Sequence, residues 1–132
     1  MTGKTTKIAR VRDTYRHGDL RRALLEAGVA LAREGGPEAV VLREATRRVG
    51  VAPNAAYRHF ADRQALVEAV RSEALAGVAR AMEKELAGVR PSRRAADQAR
   101  DGLRAVGTGY LRFALDETGL FRMGFAAPVF KW

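Results

Sequence analysis

The sequence predicts an all-α protein, and three observations support this prediction. Apolar residues recur at intervals of three and four along most of the chain, which is the spacing of a helical face. Glycine or proline marks most of the predicted breaks, and no segment shows the convincing alternation of a half-buried strand. With 132 residues, 47% of them hydrophobic, the chain can form one ordinary domain, or a small domain and part of another.

The first half of the chain contains three predicted helices. The first runs from about Asp19, a possible N-cap, to Glu34, and Gly35-Gly36-Pro37 ends it. A short second helix covers Leu42 to Val49 and is broken by Gly50-Val51-Ala52. The third starts near Pro53, because proline suits the first helical turn, and runs to about Phe60.

The second half predicts two longer helices and a short apolar segment. Asp62 can cap a fourth helix that extends from about Arg63 to Ala87. Ser92 can cap a fifth, whose apolar residues step by three and four to Phe113. The apolar segment then begins at Leu120. We expect about five helices, with this segment as a short sixth element.

The charge of the chain favours a polyanionic partner. The net charge is +9, and residues 1–60 hold 12 basic side chains against 6 acidic ones. Nucleic acid is the first candidate and an anionic membrane the second, although a merely basic surface is also compatible with the charge. Residues 1–16 form a predicted flexible basic arm. No apolar run approaches the roughly 18–20 residues that a membrane span needs, so we expect no membrane partner.

The second and third helices have the pattern of a helix-turn-helix. Two short helices are joined by a three-residue turn, in which Gly50 allows the tight bend. The small side chain of Ala45 lets the helices approach each other, and Ala56 and Phe60 would hold the third helix on the core. Its predicted outward residues are Asn54, Ala55, Arg58 and His59. A helix presented in this way fits the major groove of DNA.

This stretch resembles the N-terminal domain of the TetR/AcrR transcription regulators. The resemblance covers about residues 16–75, and its most specific part is the turn Gly50-Val51-Ala52-Pro53, followed by Tyr57-Arg58-His59-Phe60 and Asp62-Arg63-Gln64-Ala65-Leu66. It implies a three-helix DNA-binding domain at 17–65. Residues 66–132 are then a long connecting helix and the start of a helical effector-binding and dimerisation domain.

The resemblance also implies which residues bind DNA: Arg43, Pro53, Asn54, Ala55, Tyr57, Arg58, His59 and Arg63. Tyr57, His59 and Arg63 correspond to phosphate-binding positions, and Arg43 to a position at the phosphates or the groove edge. The residues from Pro53 to Ala55 face the base edges, where only Asn54 can make a bidentate contact with adenine. Tyr57 could instead be core, Asn54 a first-turn capping residue and Arg58 a solvated surface residue.

Two positions depart from the family pattern. Val41, before the second helix, and Ala52, before the third, stand where the family commonly has Ser or Thr. Each change removes a hydroxyl that could cap a helix, at a cost of about 1 kcal/mol. Both hydroxyls could also donate to phosphate, so we expect a lower affinity for DNA.

The C-terminal part is similar to a segment of the WHG-domain subgroup of these regulators. The similarity is carried by residues 110–115 and 119–123. It implies an effector pocket lined by Tyr110, Phe113, Phe121 and Met123, although the aromatic and apolar character of these residues favours ordinary core. The expected terminal dimerisation helices are absent from this sequence, which indicates either a truncated chain or the ordered part of a longer one. An apolar patch is then expected at Phe125, Val129, Phe130 and Trp132.

Together these features predict an effector-responsive repressor that binds a palindromic operator in double-stranded DNA as a homodimer in the cytoplasm. A DNA-binding remnant or architectural protein without an effector switch is the alternative. We expect no enzyme, cofactor or metal site, because the only histidines are His17 and His59 and the chain has no cysteine. The absence of cysteine also suits a cytosolic protein.

Overall fold

The fold is all-helical, as the sequence predicts. A computed structural model describes residues 19–125, so the predicted arm at 1–16 and the tail residues Val129, Phe130 and Trp132 lie outside the described residues. Within this range there are six α-helices and no strand: α1 (Leu20–Gly35), α2 (Leu42–Val49), α3 (Pro53–Ala56), α4 (Arg63–Ala87), α5 (Ala95–Asp116) and α6 (Thr118–Phe125). One turn of 3-10 helix, Pro37–Ala39, lies between α1 and α2.

One hydrophobic core joins the first four helices to α6. The spacing of apolar residues in α4 predicts a buried face from Leu66 to Leu86, and Leu66, Val70, Ala74 and Val78 are buried, whereas Leu86 is 41% exposed. This face packs against Leu24 and Leu31 of α1, and α6 adds Leu120 and Met123 to the same cluster. Because α4 also carries the C-terminal helices, the head formed by α1–α3 and the rest of the chain share this core.

The ends of α2 and the start of α4 lie where the sequence predicts them. Gly50 ends α2 with a φ of 84°, in the left-handed region that favours glycine. Gly50 N–H donates to the Arg47 carbonyl and Val51 N–H to the Thr46 carbonyl, which is the Schellman pattern of a helix end. At α4, the Asp62 carboxylate accepts from Ala65 N–H at 2.9 Å and caps the helix as predicted.

Three local predictions are wrong. Asp19 precedes α1 with helical backbone angles and no side-chain capping bond, because an N-cap needs a non-helical conformation to aim its oxygen at the first turn. Ser92 does not cap α5, which begins after Arg94; its hydroxyl only approaches Arg94 N–H, at 3.4 Å. The third helix ends at Ala56, and the chain reaches Phe60 through a turn.

Helix α5 packs on α4 with a face that only partly coincides with its predicted apolar stripe, because Phe113 contacts Gly77 of α4 but not all residues of the stripe face α4. The buried residues are Ala105 and Gly109, while Leu103 of the predicted stripe is 75% exposed. Leu111 and Leu115 are also exposed, at 60% and 79%. The described part of α5 therefore leaves an apolar face in solvent. None of the helices within residues 19–125 combines the length and apolarity of a membrane span.

Helix α6 is fitted closely against the end of α1. A methyl group at Gly119 would overlap the carbonyl oxygen of Ala32 and lie 2.8 Å from that of Arg33. Two ion pairs flank this contact: Arg33 with Glu117 at 3.1 Å and Arg122 with Glu38 at 3.2 Å. Exposed pairs of this kind contribute little, so the close fit at Gly119 is the main constraint on the position of α6.

We expect Gly119→Ala to lower the free energy of unfolding by about 1–3 kcal/mol, the usual cost of overpacking against atoms that cannot move aside. The matched control is Gly107→Ala in α5, where an added methyl meets nothing within 4 Å. That change should stabilise the protein by up to about 1 kcal/mol, because alanine is the better helix former. Urea unfolding followed by circular dichroism measures both. Equal effects in the two variants would contradict the tight fit of α6.

Candidate nucleic-acid interface

The short helix α3 is held by two buried side chains at its end. Ala56 is fully buried, Phe60 is 2% exposed, and Ala45 of α2 is fully buried. The backbone N–H groups of His59 and Phe60 both donate to the Ala56 carbonyl at 2.9 Å, so the chain turns tightly between the two anchors. The predicted roles of Ala45, Ala56 and Phe60 in fixing α3 are therefore consistent with the packing.

The outward face of α3 and the following turn carries most of the predicted DNA-binding residues. Pro53, Asn54, Tyr57 and Arg58 are exposed, and Ala55 and His59 are half-buried. The Tyr57 side chain is 54% exposed, which is incompatible with the core alternative. Ala52 occupies the N-cap position of α3, so Asn54 is not the N-cap residue. The six residues thus form one contiguous surface. It carries the start of α3 with its backbone N–H groups and the side-chain amide, phenol, guanidinium and imidazole of Asn54, Tyr57, Arg58 and His59.

Arg63 has a structural role that the sequence does not reveal. Its Nε donates to the Val40 carbonyl at 2.9 Å and its Nη2 to the Pro37 carbonyl at 3.1 Å. The guanidinium therefore joins the first turn of α4 to the chain just before α2. Its Nη1 makes no hydrogen bond with the described residues, and this nitrogen remains free to contact a phosphate.

The basic residues of α2 differ in their availability. Arg43, in the first turn, is exposed. Arg47 hydrogen-bonds Glu44 within α2, and Arg48 hydrogen-bonds Glu34 of α1. The hydrogen bond from Arg47 lowers the pKa of the Glu44 carboxyl, and the one from Arg48 lowers the pKa of Glu34. Arg43 is therefore the α2 arginine best placed to reach a polyanion.

The two departures from the family pattern leave helix starts without side-chain caps. Val41 and Ala52 both have the extended backbone of an N-cap residue, at φ −120°, ψ 127° and φ −69°, ψ 148°. Neither side chain can accept a hydrogen bond from the first turn. The backbone at Val41 and Ala52 would thus allow a Ser or Thr hydroxyl to cap each helix, but neither residue has a hydroxyl.

A further residue, Arg21 of α1, lies against the end of the helix-turn-helix. Its guanidinium carbon is 5.2 Å from the centroid of the Phe60 ring, a cation–π contact. Sequence reasoning did not select Arg21, because it is one of two adjacent arginines in α1 and the contact with Phe60 is long-range.

The four residues predicted to line a pocket lie in three different places in the structure. Tyr110 and Phe121 contact each other with ring centroids 5.2 Å apart, and Phe125 joins both at 5.6 and 4.8 Å. Phe113 instead lies against Gly77 of α4. Met123 is 1% exposed in the main core. The aromatic cluster of Tyr110, Phe121 and Phe125 is therefore the more coherent group, and sequence analysis had placed Phe125 in an apolar patch instead.

Comparison with known proteins identifies the domain that contains this surface. Residues 24–70 match the family model described as bacterial regulatory proteins, tetR family. The match includes α2, α3 and the start of α4, and it contains all eight of the predicted DNA-binding residues, from Arg43 to Arg63. No curated protein and no solved structure matches the chain.

We expect Arg63→Ala to lower the free energy of unfolding by about 1–2 kcal/mol, because two backbone carbonyls lose a charged donor. Arg58→Ala removes the same charge from an exposed side chain that makes no hydrogen bond with the described residues, and should stay within about 0.5 kcal/mol of the parent. Thermal unfolding of the three proteins at one salt concentration compares them. If Arg63→Ala is as stable as Arg58→Ala, the two hydrogen bonds do not join α4 to the turn before α2.

Proposed function

We propose that this DNA-binding transcription regulator, which belongs to the tetR family of bacterial regulatory proteins, is a repressor whose operator binding responds to a small-molecule effector. The observation that carries the DNA-binding part is the exposed face of α3 within the domain that matches the family. The cytoplasm, where bacterial DNA lies, is the compartment that this function requires.

In the proposed complex, α3 enters the major groove and its first residues face the bases. Asn54 supplies a side-chain amide that can bind adenine at two points, while Pro53 and Ala55 offer apolar contacts. Tyr57, His59 and Arg58 follow on the turn and donate to backbone phosphates on either side of the groove. Arg43 and the free Nη1 of Arg63 extend the phosphate contacts to the starts of α2 and α4.

The proposed working unit is a homodimer on a palindromic operator. One helix-turn-helix makes few base contacts, and two-fold dimers gain specificity by binding half-sites about 34–36 Å apart. The exposed apolar face of α5, formed by Leu103, Leu111 and Leu115, supports a dimer surface outside the head. Arg43, Arg58 and Arg63 give the reading surface a positive charge, so contact between two such surfaces would be repulsive.

An effector acting on the aromatic cluster of Tyr110, Phe121 and Phe125 could reach the head through α6. Two of the three rings lie on α6, which also carries Gly119 against the end of α1. Arg122 of α6 pairs with Glu38, one turn before α2. A ligand that displaces these rings shifts α6, and with it α1 and the spacing of the two reading heads.

We expect Asn54→Ala to relax the base preference at one position of the operator half-site, at a cost of about 1–3 kcal/mol. Selection of binding sites from random duplex DNA gives the preferred sequence, and titration of the parent and the variant on that site gives the cost. Gln64→Ala is the matched control, because Gln64 is an exposed amide that hydrogen-bonds Glu68 on α4.

Identical selected sites for parent and Asn54→Ala would leave Asn54 without a role in base readout. If selection from random DNA enriches no sequence at all although the protein binds DNA, the architectural alternative replaces the repressor.

We expect Leu111→Glu to weaken self-association at least tenfold, because it places a charge at the centre of the exposed α5 face. Val41→Glu is the control: Val41 is an exposed apolar residue, 41% accessible, but it lies in the head. Sedimentation velocity without DNA, over a range of protein concentrations, measures both. A dimer that resists Leu111→Glu and dissociates with Val41→Glu would place the interface in the head.

A further inference from the structure

We propose that Arg21 is an additional phosphate-binding residue of the DNA interface, held in position by the face of the Phe60 ring. This inference rests on the proposed DNA binding by α3. It adds to the interface a residue of α1, outside the helix-turn-helix and outside the eight positions considered above.

The first step is the position of the guanidinium. Its central carbon lies 5.2 Å from the centroid of the Phe60 ring, and Phe60 follows directly after His59 on the exposed turn. Phe60 is itself 2% exposed and packed in the core, so the ring is a rigid support. Arg21 is thereby fixed beside the end of the proposed phosphate-binding surface.

The second step is the availability of its donors. A guanidinium has five N–H donors, and a contact with the face of an aromatic ring leaves some of them available to other partners. Arg21 is exposed, and no carboxylate of residues 19–125 forms an ion pair with it. Its neighbour Arg22 is different, because Arg22 points to Glu26 one turn along α1, at 3.7 Å.

The third step is the absence of a benefit to α1 itself. Arg21 lies in the first turn of α1, where the helix dipole disfavours a positive side chain. The cation–π contact offsets part of this, but a neutral apolar side chain could cover the same ring without the charge. An anionic partner explains a positive charge at this point, and the phosphates proposed to lie beside Tyr57 and His59 supply one.

The test compares Arg21→Met with Arg22→Met in the full chain. Methionine keeps an apolar side chain over Phe60 and removes only the charge, and Arg22→Met removes the same charge from the neighbouring position. Affinity for a random-sequence duplex is measured between 50 and 200 mM salt. If Arg21 neutralises one phosphate, the slope of log affinity against log salt becomes shallower by about 0.9 in Arg21→Met, and the salt-induced loss of affinity falls about threefold. Arg22→Met should change the slope by less than half as much.

Three outcomes overturn the proposal. An unchanged slope in Arg21→Met, with or without a lower melting temperature, makes Arg21 a structural cover for Phe60. Equal changes of slope in the two variants reduce its effect to general charge. If the parent binds no duplex DNA, the proposed function itself fails, and that result is distinct because it is seen before any substitution. Arg21→Lys adds a positive readout, since it should restore most of the slope.

Discussion

The proposed DNA-binding surface, which is the outward face of α3 and the turn to His59, depends on the burial of Ala56 and Phe60. Helix α3 has four residues, too few to be stable as an isolated helix, so its conformation comes from the packing of its end against α1 and α2. The fully buried Ala45 and Ala56 allow the close approach, and Phe60 fixes the exit of the turn. Every outward residue from Asn54 to His59 takes its direction from these contacts, because the chain between the anchors has few alternatives.

Several charged residues around α3 have structural partners that help to hold the packed helices together. Arg63 donates to the carbonyls of Val40 and Pro37 at the turn before α2, and the Pro37 carbonyl also accepts from Val40 N–H. Arg48 connects α2 to Glu34 of α1, and Arg21 covers the ring of Phe60. A basic side chain in this head therefore serves the fold with part of its donors and can offer the remainder to DNA. The charge of such a residue alone does not tell which of its donors serve the fold and which are available to DNA.

Much of the fold could be predicted from sequence because its signals are local. Gly50 and Asp62 set the end of α2 and the start of α4, and the positive φ and the capping bond at these positions are as expected. The same logic failed at Asp19 and Ser92, because a capping residue acts only when the backbone around it is extended, and distant packing decides that. The residues proposed to face DNA were named through the family pattern, while the contact of Arg21 with Phe60 was missed because it joins residues far apart in sequence. The predicted pocket residues were separated for a similar reason: Phe113 turns to Gly77 on α4 and Met123 to the core.

The two halves of the molecule are coupled through α6 more by shape than by charge. The pairs Arg33–Glu117 and Arg122–Glu38 are exposed, and such pairs contribute at most about 1 kcal/mol each and weaken in salt. Gly119, in contrast, sets a contact with the backbone of α1 that no larger residue can make. A backbone contact transmits a displacement, because packed atoms resist compression and cannot rearrange as a solvated ion pair does. A shift of α6 at its aromatic cluster would therefore act directly on the end of α1 through the Gly119 contact, and the exposed ion pairs would add little to this coupling.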